Sequence, residues 1–316
     1  MADFGARLLQ FLTAFPLPAN LPDGVEARSP FREPAVHDLL RRFSEKYYAD
    51  GQPRVAVLGI NPGRLGMGRT GVAFTDPSAL AEFCGIAHNL PKQRPELSTQ
   101  FIYQVITALG GPAIFYQHFY LGSIYPLVLL NKGLNYNYYD SPALTKALWP
   151  DMQLSLRQQV QDLGIRTDVV VSLGRRNGQF LQRLNEELGL FEKIVVLDHP
   201  RYLMQYKRRD LAAHVAHYVA ELGRLAVSSE QKKRHADEGS ILSPPHDSFI
   251  SELGCFLRQH DRQRGCKVKH DVILLIIYYQ LSVEKNAYRS RPHPPAGSRR
   301  APRLPGKLRQ RWPAMR

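Results

Sequence analysis

The sequence predicts an α/β fold of three layers, in which helices cover both faces of a mostly parallel, four-stranded central sheet. Two observations lead to this prediction. Four short apolar runs alternate along the chain with longer stretches of helical periodicity, as in proteins built from successive strand–helix units. The runs are also apolar throughout, rather than at every second position, which is typical of strands covered on both faces.

The four predicted strands are short and contain many β-branched residues, which favour extended backbone. They cover residues 54–60, part of 118–130, 167–173 and 193–197. The carboxyl ends of parallel strands meet at one edge of a sheet, where ligands of such sheets bind. Asn61 and His199 each come one or two residues after a predicted strand. We therefore expect these two side chains to lie in the same neighbourhood.

The predicted helices follow from apolar residues spaced three or four positions apart, as Val36, Leu39 and Phe43 are in the first helix of the α/β unit. Ser98 is the candidate N-cap of the next helix, and Pro150 predicts a break or a new start in the one after it. The helices are expected at residues 35–49, 99–109, 142–165, 177–190 and 206–225.

Composition divides the chain into three parts. Residues 1–34 form an N-terminal helix with a Pro-rich connector, and residues 35–225 form the α/β domain, because the α/β pattern is complete at about residue 225. Residues 226–316 form a basic, mostly disordered extension, whose composition cannot bury enough apolar area to offset the entropy of ordering it. Residues 226–316 could equally be an out-of-frame extension that arose in gene prediction. Most of the net charge of +14 lies in this part, so charge alone is weak evidence for nucleic-acid binding by the folded part.

Several protein classes are unlike this sequence. Its three cysteines (Cys84, Cys255 and Cys266) are too few for a disulfide framework or a Cys₄ metal site. The longest apolar run has eight residues, whereas roughly 20 are needed to span a bilayer. The N-terminus lacks the features of a signal peptide. We expect an intracellular protein with no membrane partner, no cofactor and no metal.

Residues 59–77 form a loop with five glycines, which let the backbone approach a ligand closely. Gly66, Gly68 and Gly71 satisfy the spacing G-x-G-x-x-G, which is typical of dinucleotide sites. That motif should begin directly after a strand and open a helix. Here it begins six residues after Ile60 and leads into VAFTDP, so nucleotide binding is a weak hypothesis. A glycine-rich turn without a ligand is the alternative.

Residues 59–74 read GINPGRLGMGRTGVAF, and a His-Pro pair, His199-Pro200, follows the last predicted strand. In these stretches the chain resembles the uracil-DNA glycosylases, and within them the single-strand-selective monofunctional (SMUG) branch. The family's first motif, G-M-N-P-G-x-x-G-M-x-x-T-G-V-x-F, is matched without a gap, with Ile60 in place of methionine. Residues 125–127 and 133–135 (YPL and GLN) look like the region that holds the family's base-reading asparagine. The resemblance covers roughly residues 35–225.

The resemblance implies a role for each matching residue in removing uracil from deoxyribose. Asn61 would hold the attacking water, and His199 would donate a hydrogen bond to O2 of uracil. Phe74 would stack on the base, and Asn135 would pair with its N3–H and O4, although Asn131 and Asn137 compete for this role. The remaining residues of the uracil pocket would be Ile60, Gly63 and Met67.

The resemblance also implies a segment that contacts DNA and holds the base out of the stack. Residues 199–209 read HPRYLMQYKRR and shorten the family's His-Pro-Ser-Pro-Arg form. Arg201, Tyr202 and Leu203 would form the wedge, and Lys207 and Arg208 would bind the DNA backbone. A solvated helix start is the alternative.

The combined prediction is a metal-free DNA repair glycosylase that flips uracil, or another damaged pyrimidine, out of DNA and hydrolyses its N-glycosidic bond. The matched motifs hold no assigned lysine for a Schiff base, which favours monofunctional chemistry. We expect a monomer acting on single- or double-stranded DNA, in the bacterial cytoplasm with the nucleoid or in a eukaryotic nucleus. A non-catalytic binder of damaged or single-stranded DNA is the alternative.

Overall fold

A computed structural model describes residues 2–91 and 93–237, with side chains described as far as residue 226. The strands in chain order are β1 (Val25–Arg28), β2 (Val55–Gly59), β3 (Phe119–Ser123), β4 (Val128–Asn131), β5 (Leu134–Asn135), β6 (Val170–Leu173) and β7 (Ile194–Leu197). The helices are α1 (Phe4–Ala14), α2 (Pro34–Tyr47), α3 (Met67–Thr70), α4 (Pro77–Glu82), α5 (Leu97–Ala108), α6 (Pro112–His118), α7 (Pro142–Gln158), α8 (Arg175–Leu188), α9 (Pro200–Tyr206) and α10 (Leu211–Asp237).

The central sheet has four parallel strands in the order β3-β2-β6-β7, with helices packed around it, so the predicted fold class is confirmed. Every residue of β2, β3 and β6 is buried, which explains why these strands are apolar apart from Ser123 and Ser172. After β3 has paired with one side of β2, the chain crosses over to place β6 on the other side. Ligands bind at such a reversal, outside the carboxyl ends of the strands, and here this point lies at the end of β2.

A second, smaller sheet was not predicted. It is antiparallel, with the order β1-β4-β5, and it arises because the apolar stretch 118–130 forms two strands instead of one. The stretch leaves the central sheet after Ser123, where Ile124 N and Tyr125 N donate to the carbonyl groups of Gly59 and Ile60. It then continues as β4 in the second sheet.

β4 and β5 form a hairpin whose turn is Lys132-Gly133. Both turn residues have positive φ (50° and 74°), as the favoured two-residue hairpin turns require. The hairpin carries Asn135 on its second strand.

Three predicted helix features are wrong. Ser98 is not an N-cap, because α5 begins at Leu97 and Glu96 occupies that position. Pro150 does not break α7, which runs unbroken from Pro142 to Gln158 because a buried apolar face on both sides of the proline holds it against the core. The predicted helix 206–225 has different ends: Tyr206 is the last residue of α9, a 3₁₀ turn follows at residues 208–210, and α10 runs from Leu211 past Leu225 to Asp237.

The N-terminal segment adds to the same hydrophobic core. α1 packs against α2, and Phe4 is fully buried beside Tyr48 and Tyr120. None of the helices in the described residues is long and apolar enough to cross a bilayer. Our predictions for residues 238–316, including two of the three cysteines, lie outside the described residues.

Candidate active site

The carboxyl edge of the central sheet carries Asn61, two residues after β2. Its half-buried carboxamide bridges the segment that follows β5: Nδ2 donates to Tyr136 O (3.0 Å), and Oδ1 accepts from Tyr138 N (3.3 Å). An amide has two N–H donors and an oxygen with two lone pairs. One donor and one acceptor site of Asn61 therefore remain for a ligand such as water.

His199 follows β7 at the same edge and is the N-cap of α9. Its Nδ1 accepts a hydrogen bond from Arg201 N (3.1 Å), so the neutral imidazole carries its proton on Nε2. Burial, and next to it the positive charge of Arg201, lowers the pKa of His199 from 6.5 to about 4. At neutral pH this side chain is therefore an uncharged donor from Nε2.

Phe74 lies between these two strand ends. An added Cβ at Gly59, the last residue of β2, would be 2.7 Å from its ring, and the ring centroid is 6.3 Å from that of His199. Phe74 has a φ of 53°, a left-handed conformation that non-glycine residues rarely adopt. Strained backbone of this kind clusters at functional sites. The glycine at position 59 makes the close approach of the ring possible.

Two predicted pocket residues, Gly63 and Met67, lie in different surroundings. Gly63 lies in the loop after Asn61, and its carbonyl oxygen accepts from Gly68 N (2.9 Å). The side chain of Met67 is buried beside a small internal cavity that Leu8 and Leu40 also line, so it faces the core packed on α1 and α2.

The structure separates the three competing asparagines. Asn135 reaches the glycine-rich loop, where its Oδ1 accepts from Arg64 N (3.0 Å) and its Nδ2 lies 3.8 Å from an added Cβ at Gly63. Asn131 pairs with β1, and its Oδ1 points toward Gly24 instead. Asn137 donates from its side chain to the carboxylate of Asp140 and closes a turn. Among the described hydrogen bonds of these three side chains, the one that reaches the glycine-rich loop belongs to Asn135.

A carboxylate that was not predicted lies against this loop. The side chain of Glu96 packs over Gly66, where an added Cβ would be 2.1 Å from Oε2, and it lies near Gly63. Burial raises the pKa of Glu96, and the negative charge of Asp76 adds to this effect, whereas Arg201 lowers the pKa. The signal in the sequence was its position at the start of α5, two residues before Ser98, which was predicted as the N-cap.

Asn177, a buried residue that was also not predicted, connects the elements that carry the site. The Nδ2 group of Asn177 donates to Leu58 O (3.1 Å), Gly59 O (3.2 Å) and Ser172 Oγ (3.0 Å). Its Oδ1 accepts from the hydroxyl of Tyr138 (2.7 Å). Asn177 thus joins the end of β2 to the segment that Asn61 holds. The signal was a polar residue on the core-facing side of the helix after β6.

Ser123, which was not predicted either, ends β3 directly opposite Gly59. It is almost fully buried, and its carbonyl oxygen accepts from Gln159 Nε2 (3.2 Å). A small polar residue that closes an otherwise apolar strand was the signal here. Its hydroxyl belongs to the same sheet edge as Asn61.

The predicted DNA-contacting segment forms α9 and the 3₁₀ turn after it. Arg201, Lys207 and Arg208 are exposed, and Tyr202 is 43% exposed, so these side chains are accessible to DNA. Leu203 is 0% exposed, because α9 turns this residue inward against α5. Its predicted insertion into the duplex is therefore wrong. The exposed aromatic neighbour of Tyr202 is Tyr206, whose ring centroid lies 5.4 Å away.

No metal site accompanies these residues within 2–91 and 93–237, where no group of three or more His, Cys, Asp or Glu side chains could hold an ion. The arrangement at the sheet edge is chemically simple. It combines an amide that can hold water, a neutral imidazole donor and an aromatic ring. Such a set can orient a nucleophile, stabilise developing negative charge and stack on a planar ring.

Comparison with known proteins yields matches over the same region. The family model of the Uracil DNA glycosylase superfamily matches residues 45–223. The single-strand selective monofunctional uracil-DNA glycosylase of Rattus norvegicus is 28% identical over 216 residues, which cover 63% of this chain and 74% of that protein. The enzyme of the same name from Bos taurus is 29% identical over 198 residues, which cover 57% and 72%. The crystal structure of Pedobacter heparinus SMUG2 is similar with a TM-score of 0.68 and 38% identity, covering 71% of this chain and 99% of that one.

Proposed function

Because the chain belongs to the uracil-DNA glycosylase superfamily, in its SMUG-like branch, we propose that it flips uracil out of DNA and hydrolyses the N-glycosidic bond as a monofunctional glycosylase. One observation carries the proposal. The amide of Asn61 and the neutral Nε2–H donor of His199 follow two parallel strands of one sheet, with the ring of Phe74 between them. These are the groups that the hydrolysis of a glycosidic bond to a planar base requires.

The reaction breaks the bond between N1 of uracil and C1′ of the sugar. The bonding electrons leave with the base, so negative charge develops on the pyrimidine while the sugar becomes an oxocarbenium-like cation. His199 donates from Nε2 to O2 of the departing base and stabilises that charge. Asn61 holds the water whose oxygen bonds to C1′, and the water proton is released as the sugar hydroxyl forms. Since the pKa of His199 is about 4, it acts as a neutral donor throughout.

The base is recognised from the neighbouring loop. Phe74 stacks on the pyrimidine, and the amide of Asn135 faces N3–H and O4 with an acceptor and a donor. Ile60, which precedes Asn61, and Gly63, two residues after it, complete the wall of the pocket. Cytosine is excluded because its N4 amino group is a donor where uracil has the acceptor O4.

The partner of this site is DNA that contains uracil, in single or double strands. Arg201, Lys207 and Arg208 would contact phosphates, which supplies affinity without sequence preference. Tyr202 is the exposed aromatic side chain nearest His199 along α9 and would occupy the space left by the flipped base. We propose that the protein acts as a monomer where DNA is present, which is the bacterial cytoplasm or a eukaryotic nucleus.

The decisive experiment measures uracil release from matched single- and double-stranded oligonucleotides. Asn61→Ala and His199→Ala should each lower the rate by about 10²–10³, as the loss of one donor to developing charge commonly does. Circular dichroism of both variants should match the parent protein, and Lys193→Ala, at the opposite edge of the sheet, is the control. Binding without release by the parent protein would identify a non-catalytic DNA binder instead. Normal release by either variant would remove that residue from the mechanism.

A further inference from the structure

An exposed groove between α7 and α8 combines aromatic rings with positive charges. The rings are half-buried, which holds them in place while one face of the groove stays open, and the charged side chains are exposed at its rim. We call this surface the α7–α8 groove. Its main lining residues are Tyr139, Trp149, Phe180, Lys146, Arg176 and Arg183.

The rings form a connected set. Tyr139 is stacked on Phe180 with ring centroids 5.7 Å apart and an interplanar angle of 16°, and Trp149 lies 6.4 Å from Phe180. The indole N–H of Trp149 donates to the carboxylate of Glu187 (3.0 Å). This hydrogen bond fixes the orientation of the indole, so the aromatic surface is preformed.

The cations lie against these rings. The guanidinium of Arg176 is 4.6 Å from the ring centroid of Tyr139, and that of Arg183 is 4.9 Å from the ring centroid of Trp149. Neither has a carboxylate partner among the ion pairs of the described residues. The one carboxylate in the lining, Glu187, is already bound by Trp149 and Gln153. The groove therefore carries a positive excess next to flat apolar surfaces.

Alternating aromatic rings and cations are the chemistry that binds a single strand of nucleic acid. Bases stack on the rings whatever their sequence, while cations neutralise the phosphates between them. An acidic peptide would satisfy the charges but would leave the ring faces without planar partners. The combination therefore favours a polyanion with planar groups.

One segment of the chain joins the groove to the candidate active site. Asn61 holds the backbone of Tyr138, and the next residue, Tyr139, contributes its ring to the groove. Arg176 also donates to Tyr139 O (2.7 Å), which attaches the start of α8 to the same segment. From Arg176 to Arg183 the helix rises by about 10 Å at roughly 1.5 Å per residue, leading away from the sheet edge.

We propose that the α7–α8 groove holds a single-stranded stretch of the DNA beside the target nucleotide, with bases stacked on Trp149 and the Tyr139–Phe180 pair, and phosphates bound by Arg176 and Arg183. This inference rests on the proposed function, because it extends the path of the same substrate. It assigns the strand-binding surface to a face of the protein separate from α9. The groove binds unmodified single strands as well, since stacking and phosphate contacts do not depend on uracil.

The first experiment uses the full chain and an unmodified oligothymidylate. Trp149 and Trp312 are the two tryptophans of the sequence, so a Trp312→Phe background isolates the fluorescence of Trp149. Added oligothymidylate should quench this fluorescence. Arg183→Glu should weaken binding measured by anisotropy about tenfold and lower the salt slope by roughly 0.7 for the lost phosphate contact. Lys193→Glu, with the same charge change at the opposite sheet edge, is the matched control.

The second experiment separates this inference from the proposed function. Uracil release is measured on a long oligonucleotide and on one with minimal flanks, and Arg183→Glu should reduce the advantage of the long substrate. If oligothymidylate binding depends on Arg183 but no uracil is released, the glycosylase function is refuted and the proposed role of the α7–α8 groove is retained. Normal release, with Arg183→Glu and Lys193→Glu behaving alike, would refute the groove. Equal quenching of Trp149 by polyglutamate would also overturn the assignment to nucleic acid.

Discussion

The hydroxyl of Tyr138 offers a sharp test of how the site is supported. Tyr138 is fully buried, its hydroxyl donates to Asn177 Oδ1 (2.7 Å), and its backbone N–H donates to Asn61 Oδ1 (3.3 Å). Tyr138→Phe removes the hydroxyl and leaves the oxygen of Asn177 without that donor in the core. An unsatisfied buried group costs about 1–3 kcal/mol. We expect the free energy of unfolding to fall by that amount.

Tyr125→Phe is the matched control for this change. Tyr125 is also fully buried, but its hydroxyl has no hydrogen-bond partner in the described part of the chain. Removing an unpaired buried hydroxyl loses no hydrogen bond, so the free energy of unfolding should stay within about 0.5 kcal/mol or rise. The two variants make the same chemical change in the same kind of environment and differ in the hydrogen bond alone.

Urea unfolding of both variants measures the stability difference, and uracil release measures its effect on the site. Because Tyr138 also positions Asn61, its variant should lose up to about tenfold in kcat, which corresponds to about 1.4 kcal/mol in the barrier. The Tyr125 variant should keep its rate. Equal unfolding midpoints for the two variants would refute the role of the Asn177 network.

Three further predictions follow from the site. Asn135→Asp should lower the ratio of uracil release to cytosine release about tenfold or more, because a carboxylate has acceptors only. A shift of this ratio in Asn131→Asp, and not in Asn135→Asp, would show that Asn131 reads the base. Since the pKa of His199 is lowered to about 4, the unfolded chain takes up its proton first, and urea unfolding should show stability lost as pH falls from about 6.5 toward 4. The His199→Gln variant should lack this loss of stability. An NMR titration that gave the His199 imidazole a pKa near 6.5 would contradict the prediction. Gly59→Ala should place Cβ 2.7 Å from the ring of Phe74, costing about 1–3 kcal/mol of stability in thermal unfolding and slowing uracil release; a variant with unchanged melting and release would show that the ring moves freely.

The parallel sheet was predictable because strands that are buried on both faces are continuous apolar runs in the sequence. Strands β2, β6 and β7 lie within the predicted runs, and the order of strands and helices excluded other classes of fold. The glycine-rich stretch 59–74 was equally informative, since its pattern is continuous along the chain. Asn61 and His199 could be singled out because each comes two residues after a strand.

The second sheet, the contacts of the three asparagines and the inward turn of Leu203 were decided by tertiary structure. Local pattern could not divide the stretch 118–130, because the division depends on hydrogen bonds to β2, some 60 residues earlier in the chain. Asn135 Oδ1 accepts from Arg64 N in the distant glycine-rich loop, whereas the side chain of Asn137 donates to Asp140, three residues later. The sequence by itself determined the strands of the central sheet and the candidate residues after their ends, because strands follow from periodicity within a few residues. Only the folded chain decided which side chains face one another there, because packing joins residues that sequence spacing does not relate.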